Sequence, residues 1–258
     1  MRSREVSFDS DASAELRFAG ELAPLVRRSG HDGMVRYPVR RRASIKDVVE
    51  ALGVPHTEIY GVRVEGREAH WDHLLAPGAS VMLLPAEPPV DPTRPTSLRP
   101  HALPRLRFVV DENVAGLALL LRALGFDAAY DRTWDDEAVA DLASRERRFV
   151  LSRDRGLLKR GAVQWGRLVR SQDPDGQLAE VVALLGITEA PAPFLRCLRC
   201  NALTEPVDKE LILHRLEPKT RKYFNEFRLC RECNRIYWRG SHHGHLLYRL
   251  EAAGVKIG

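Results

Sequence analysis

Apolar and polar residues alternate at 13–18 (SAELRF) and 34–39 (MVRYPV), and similar short runs lie near 58–64 and 81–84. Each reads as a strand with one buried face. Between the second and third runs, Ser44 precedes apolar residues at Ile45, Val48, Val49 and Leu52, and Gly53 follows them. A serine cap, apolar residues three and four apart and a glycine stop predict a helix. A loop is expected at 27–33. Strand, strand, helix, strand and strand thus fill a first domain at 1–87.

Residues 88–104 (PPVDPTRPTSLRPHALP) hold six of the sixteen prolines and show no hydrophobic period, which predicts a stiff, extended linker. Beyond it, 106–110 is a short apolar strand ending on Asp111, and 115–124 (AGLALLLRAL) is an apolar helix stopped by Gly125. A second helix starts at Asp136, with Val139, Leu142 and Ala143 on one face. The run 148–152 is a strand that again leads to an acid, Asp154; a third strand near 167–169 runs into Asp173, and 176–185 closes as a helix. Alternation of this kind makes a parallel sheet with right-handed crossovers, whose ligands bind along the edge formed by the strands' carboxyl ends. A shorter break at Ala190-Pro191-Ala192-Pro193 separates this domain, 105–190, from a last one at 191–258.

A chain of 258 residues with 44% hydrophobic and 29% charged side chains has a globular composition. No run approaches the ~18 uncharged apolar residues of a membrane helix, and the first thirty residues are studded with charges where a secretion signal is apolar. No membrane association and a cytoplasmic location are therefore expected. The net charge of +5 is segregated, because residues 191–258 hold 13 Lys and Arg against 7 Asp and Glu. A basic end suits a polyanionic partner.

Topology draws Asp111 and Asp154 together although 43 residues separate them, and Asp135 or Asp136 at a helix mouth and Asp173 after the third strand can join them. Gathered carboxylates raise one another's pKa unless a cation neutralises them, and all-oxygen ligation suits Mg²⁺ or Mn²⁺. Such an ion activates water for in-line attack on a phosphodiester. The same acids also have structural uses. Asp136 fits a helix N-cap, and Asp173 sits in the turn-like Gln172-Asp173-Pro174-Asp175-Gly176. Arg153 and Arg155 flank Asp154 and can hold phosphate.

Cys197-Leu198-Arg199-Cys200 and Cys230-Arg231-Glu232-Cys233 are two C-x2-C knuckles separated by 29 residues. Four thiolates at this spacing close a tetrahedral, structural Zn²⁺ shell; disulfides are the alternative, disfavoured in a reducing compartment. So small a segment has little core, and metal binding supplies much of its folding free energy. Between the knuckles, 218–227 (PKTRKYFNEF) predicts a helix with Pro218 in its first turn and Tyr223, Phe224 and Phe227 as its core. After them, Arg235, Tyr237, Trp238, Arg239 and His242 mix cations with rings, as single-stranded RNA recognition requires. A strand that buries Tyr237 or Trp238 and exposes its arginines is the other reading.

Four blocks occur in the order and spacing of the PIN-like nuclease domains of the Mut-7 carboxy-terminal RNase family. They are Phe108-Val109-Val110-Asp111-Glu112-Asn113, Leu121-Arg122-Ala123-Leu124-Gly125-Phe126-Asp127, Asp135-Asp136-Glu137 and Val150-Leu151-Ser152-Arg153-Asp154. Arg235-Ile236-Tyr237-Trp238-Arg239-Gly240-Ser241-His242 resembles the family's terminal strand. Gly53-Val54-Pro55-His56-Thr57-Glu58 and the Pro77-Gly78 turn resemble the ubiquitin-like domain found ahead of such nucleases. Ser152 stands where threonine is usual.

The resemblance implies an α/β protein in three parts: a ubiquitin-like β-grasp domain, a PIN-like α/β/α sandwich with a mostly parallel sheet, and a C-terminal zinc ribbon. It implies a Mg²⁺- or Mn²⁺-dependent ribonuclease with Asp111 and Asp154 as strand-end acids, Asp136 as the helix acid beside Asp135, and Asp173 as a fourth. RNA is then the expected partner. The β-grasp domain runs from Leu84-Pro85 into the linker instead of ending in the free Gly-Gly of sulfur carriers, so it is expected to be an adaptor for a protein partner. The rival reading is a non-catalytic RNA-binding or ribosome-associated factor of the same fold.

Overall fold

The computed structural model describes residues 13–27 and 32–257; positions 28–31 of the loop expected at 27–33 lie outside the described residues. The chain divides into two compact units, Met1–Glu87 with Pro95–Ala102, and Pro88–Arg94 with Leu103–Gly258.

In the first unit, β1 (Ser13–Phe18) buries Ala14, Leu16 and Phe18 and exposes Glu15 and Arg17, following the period of its sequence. It pairs antiparallel with β2 (Met34–Pro38) and parallel with β5 (Ser80–Leu84); β3 (Gly61–Val64) and β4 (Arg67–Glu68) complete the order β2-β1-β5-β3-β4. Ile45, Val48 and Val49 of α1 (Ile45–Ala51) are buried. Its start is a capping box: the Ser44 hydroxyl accepts from the Asp47 N–H at 3.1 Å, and Asp47 accepts from the Ser44 N–H at 3.3 Å. A mixed sheet with a central parallel pair and one helix is the β-grasp arrangement.

The strand expected near 58 begins only at Gly61, because His56–Glu58 form a 3-10 turn. Its carbonyls have a distant partner. Arg99, 4% exposed, donates to the carbonyls of His56 (3.1 Å), Thr57 (2.9 Å) and Ile59 (3.0 Å), with its guanidinium 4.4 Å from the Tyr60 ring centre. The later part of the proline-rich stretch is thus built into the first unit. The earlier part is built into the second, where Val90 N–H donates to Leu184 O at 2.7 Å and Leu103 N–H to Pro92 O at 2.8 Å.

The second unit holds β6 (Phe108–Val110), α2 (Ala115–Ala123), β7 (Ala128–Ala129), α3 (Asp136–Glu146), β8 (Phe149–Ser152), α4 (Arg155–Leu158), β9 (Gly166–Leu168) and α5 (Pro174–Leu185). Its sheet is all parallel, in the order β7-β6-β8-β9, and β6 and β8 are buried along their whole length. Burial on both faces explains their unbroken apolar runs. Right-handed crossovers put α2 on one face, where it packs on α5, and α3 and α4 on the other.

The break at 190–193 does not loosen the chain. Ala192 N–H donates to Leu124 O (3.3 Å) and Phe194 N–H to Ala123 O (2.8 Å). Gly125 makes the approach possible: its φ is +97°, and a Cβ there would come within 2.2 Å of Ala192 O. Next come β10 (Glu205–Val207), α6 (Lys209–Ile212), α7 (Pro218–Tyr223), β11 (Phe227–Leu229), β12 (Ile236–Tyr237) and α8 (Ser241–Ala252). The three strands form an antiparallel sheet over a small core of Ile212, Leu216 and Phe227. The helix expected over 218–227 therefore stops at Tyr223, since Phe227 is taken by the central strand, and Tyr223 is 65% exposed. The expected terminal strand is short and yields to α8, which packs on α2 and buries Leu246 and Leu250.

Arg99→Ala removes the Arg99 donors of the Thr57 and Ile59 carbonyls and one of two donors to the His56 carbonyl, which keeps the Ile59 N–H, and is expected to cost roughly 3 kcal/mol in urea unfolding of the full chain. The exposed Arg94→Ala is the control, expected to change stability by less than about 0.5 kcal/mol. Equal effects would contradict the role given to Arg99.

Candidate active site and metal centre

β6 and β8 pair with Val110 opposite Leu151, so Asp111 and Ser152 come next at the carboxyl edge. The Ser152 hydroxyl is fully buried; it donates to Asp111 Oδ2 at 2.6 Å and accepts from the Asp154 N–H at 2.8 Å. Asn113 adds a second tie, since Nδ2 donates to Asp111 Oδ2 at 2.5 Å and Oδ1 accepts from the Arg153 N–H at 2.9 Å. Ser152 and Asn113 thus join the ends of the two strands. Sequence assigned neither a role at the site, Ser152 being noted only as standing where threonine is usual, and the available signal was a polar side chain close after each apolar strand core. Glu112, the neighbouring acid, accepts from the Tyr130 hydroxyl.

α3 brings in the third acid. Asp135 is its N-cap, accepting from the Ala138 N–H at 2.9 Å, so Asp136 is freed from the capping role its position suggests. Burial, then the negative charges of Asp154 and Asp111, raise the Asp136 carboxyl above its ordinary value, with Arg160 acting against them. Asp154 accepts from the Gly156 N–H through Oδ1 at 2.5 Å. Among the described residues, no lysine or arginine forms an ion pair with Asp111, Asp136 or Asp154. Three carboxylates without cationic partners are a donor set that fits a hard divalent ion. Among the described residues only the four cysteines bring three or more ligand atoms close enough to surround one ion, so the three aspartates do not form a closed ligand shell.

The other expected residues are placed differently. Asp173 is exposed and caps α5 through the Gly176 N–H at 2.9 Å; that bond holds its carboxyl down, and the charge acting on it is Arg249. Arg153 donates to Gln172 Oε1 at 2.6 Å, and Arg155 opens α4 directly after the capping Asp154.

The four cysteines converge. Their sulfurs all lie within 4.8 Å of one another, with Cys197 and Cys233, and Cys200 and Cys230, 3.4 Å apart. A tetrahedral shell with Zn–S bonds of about 2.3 Å separates sulfurs by about 3.8 Å, so the cluster fits zinc. Burial pushes the Cys197 thiol up, but bonds from the Tyr237 hydroxyl and from the N–H groups of Cys200 and Arg199 outweigh it and bring it to about 6. Burial pushes Cys200 up to about 12. Sulfurs so close cannot all ionise without a cation between them. Each knuckle is followed by an asparagine in the left-handed region, Asn201 at φ +70° and Asn234 at φ +59°.

The first knuckle is joined to the sheet at its amino edge. Arg122, 3% exposed, donates to Ala128 O (2.8 Å), Leu198 O (3.0 Å) and Arg199 O (2.8 Å). Asn201 accepts from the Ala128 N–H at 3.1 Å and donates to Asp127 at 2.7 Å. Asp127 also pairs with Arg148 at 2.7 Å; burial pushes its carboxyl up, but these two partners outweigh it and hold it down.

Of the expected RNA-binding residues, Tyr237 is committed to the knuckle, accepting from the Leu198 N–H and lying 3.1 Å from the Cys197 sulfur. Arg235, Trp238, Arg239 and His242 are exposed. Among the described residues, no helix is long and apolar enough to cross a membrane.

The family model of the Mut7-C RNAse domain matches residues 106–250, and that of the Mut7-C ubiquitin domain matches residues 11–91. No curated protein and no solved structure matches the chain.

In zinc-loaded protein at neutral pH, Mn²⁺ at about 100 times its Kd is expected to add ~2.7 kcal/mol of stability, roughly 5–10 °C in the unfolding midpoint. Because the Asp136 pKa is raised, the folded chain takes up a proton first as pH falls. Metal-free stability from this group thus declines as pH rises through the carboxyl range, and the ion restores it. Asp154→Asn should lose the Mn²⁺ shift, and an equal shift in both chains would put the ion elsewhere.

Elemental analysis should find one zinc per chain. Asn201→Ala should keep the zinc yet cost roughly 2 kcal/mol, because the Ala128 N–H and Asp127 each lose a partner. Unchanged stability would contradict the anchoring of the knuckle to β7.

Proposed function

Because the chain belongs to the Mut7-C RNAse family, we propose that it is a ribonuclease that cleaves RNA with Mg²⁺ or Mn²⁺ held by Asp111, Asp136 and Asp154. One observation carries this reading: carboxylates from two strand ends and a helix start stand at one sheet edge within electrostatic reach of one another, and among the described residues no arginine or lysine forms an ion pair with them. Acids kept only for stability would be expected to have such partners. Asp135 and Asp173, both helix caps, are left outside the set.

The bound ion supplies a Lewis acid that lowers the pKa of water and offsets charge developing on the phosphodiester. Ser152 and Asn113 bond Oδ2 of Asp111 and the Glu112 N–H bonds Oδ1 at 2.7 Å, so the remaining lone pair on Oδ1 is oriented before substrate arrives. Gly156 N–H fixes Oδ1 of Asp154, and Oδ2 stays uncommitted among the described residues. Water adds at phosphorus, the bond to the 3′-oxygen breaks, and the products carry a 5′-phosphate and a 3′-hydroxyl. Zinc at the four cysteines is structural, since four protein ligands leave no open position. The basic C-terminal part helps to seat the RNA, and the β-grasp domain is an adaptor for a protein partner.

Wild-type chain should cleave single-stranded RNA only when Mg²⁺ or Mn²⁺ is supplied, and Asp154→Asn should lower kcat at least about 100-fold while still binding RNA. Binding without metal-dependent cleavage, over RNAs of varied sequence and structure, would support the non-catalytic RNA-binding alternative instead.

A further inference from the structure

The second unit carries a groove of about 1560 Å³ lined by Leu119 of α2, the chain leading into the first knuckle, the antiparallel sheet and α8. Small-molecule pockets run to about 1,000 Å³, so the groove has room for a segment of polymer.

Its chemistry separates once committed side chains are set aside. Arg196 donates to Gly125 O and Asn201 O, Arg228 to Thr204, Arg231 pairs with Glu205 and Arg249 with Asp175. The guanidinium groups of Arg235 and Arg239 have no such partner among the described residues. Between them in sequence stands Trp238, 37% exposed, whose indole N–H is also without a partner among the described residues. Tyr237, the last residue of β12, and Trp238, directly after it, both line the groove, but the Tyr237 hydroxyl is held at the sulfur cluster while the Trp238 ring is left to the groove. Gly240 backs the ring: a Cβ there would come within 2.8 Å of Trp238 Nε1. Phe194 and Phe224 also line the groove.

The knuckle side of the groove lies away from the acids, although Arg249 on its other side reaches Asp175 at the start of α5. α2 starts four residues after Asp111 and ends at Ala123, whose carbonyl accepts from Phe194 N–H on the groove side. Its nine residues span about 13 Å, and the knuckle is fastened beyond that far end, at Gly125 and Ala128.

We propose that this groove is an exosite for single-stranded RNA, in which Trp238 stacks on a base and Arg235 and Arg239 neutralise flanking phosphates, gripping a part of the strand that is not cut. The inference rests on RNA being the substrate and adds where, and at which end of α2, the strand is held. Ring and unpaired cations together favour a polyanion with stackable bases over an apolar peptide.

The test uses full-length, zinc-loaded Asp154→Asn, which leaves RNA intact, and a fluorescein-labelled single-stranded oligouridylate read by anisotropy across a salt series. Adding Trp238→Ala should weaken binding roughly ten-fold. Adding Arg235→Ala with Arg239→Ala should lower the slope of log K against log salt by about 1.4, the value for two single-strand phosphate contacts. Gly240→Ala keeps every charge but displaces the ring, so affinity should fall with the slope unchanged. Zinc content and unfolding midpoint verify the fold of each variant. If all three groove variants bind as the parent does, the exosite is overturned and the groove serves another class of partner. Cleavage by the wild-type chain, measured in parallel, tests the ribonuclease reading separately: cleavage with unaltered groove variants sinks only the exosite, and binding lost in those variants without wild-type cleavage sinks only the enzyme.

Discussion

A buried hydroxyl must find hydrogen-bond partners, and that of Ser152 finds them at Asp111 and at the Asp154 N–H. The bond to Asp111 requires the ends of β6 and β8 to lie level, and the local bond from Asp154 then fixes the turn that follows. Level ends follow from the apolar pairs beneath them, Phe108 with Phe149, Val109 with Val150 and Val110 with Leu151. The packing of a dry core is thereby passed on to the placement of two acids far apart in the chain. Asp136 joins them because α3 starts at the same edge, and burial together with the charges of Asp154 and Asp111 raises its pKa.

The two edges of this sheet use the same residue types in opposite ways. At the amino edge, Asp127 is bonded to Arg148 and Asn201, and Arg148 also bonds to Glu146. At the carboxyl edge, three aspartates form no ion pair among the described residues, and Arg160 acts on Asp136 only through its charge. Paired acids hold structure together, and unpaired ones are available to a ligand. The amino edge is also where the first cysteine knuckle is fastened through Arg122 and Asn201, which accounts for sandwich and knuckles forming one compact unit.

Features decided locally were legible in the sequence. Alternation in β1, the Ser44–Asp47 box of α1 and the spacing of the knuckles need only near neighbours, and the meeting of strand-end acids needs only a rule of topology. What escaped depended on distant partners. Phe227 has helical spacing to Phe224 but is claimed by strand pairing on both sides. α8 opens with Ser241-His242-His243-Gly244, a poor helical start, and owes its stability to Leu246 and Leu250 packed in the second unit. Arg99, in a proline-rich run, looks solvated until a 3-10 turn some 40 residues earlier presents it with carbonyls. Asp135 and Asp136 are indistinguishable as caps until the helix start is fixed.

The central claim is that Asp111, Asp136 and Asp154 share an ion. Crystals grown with Mn²⁺ and measured at the manganese absorption edge test it directly. The account predicts an anomalous peak at the carboxyl edge of the parallel sheet, within coordination distance of at least one of these aspartates and lost in Asp154→Asn. A fully occupied peak elsewhere, with none at that edge, would contradict it.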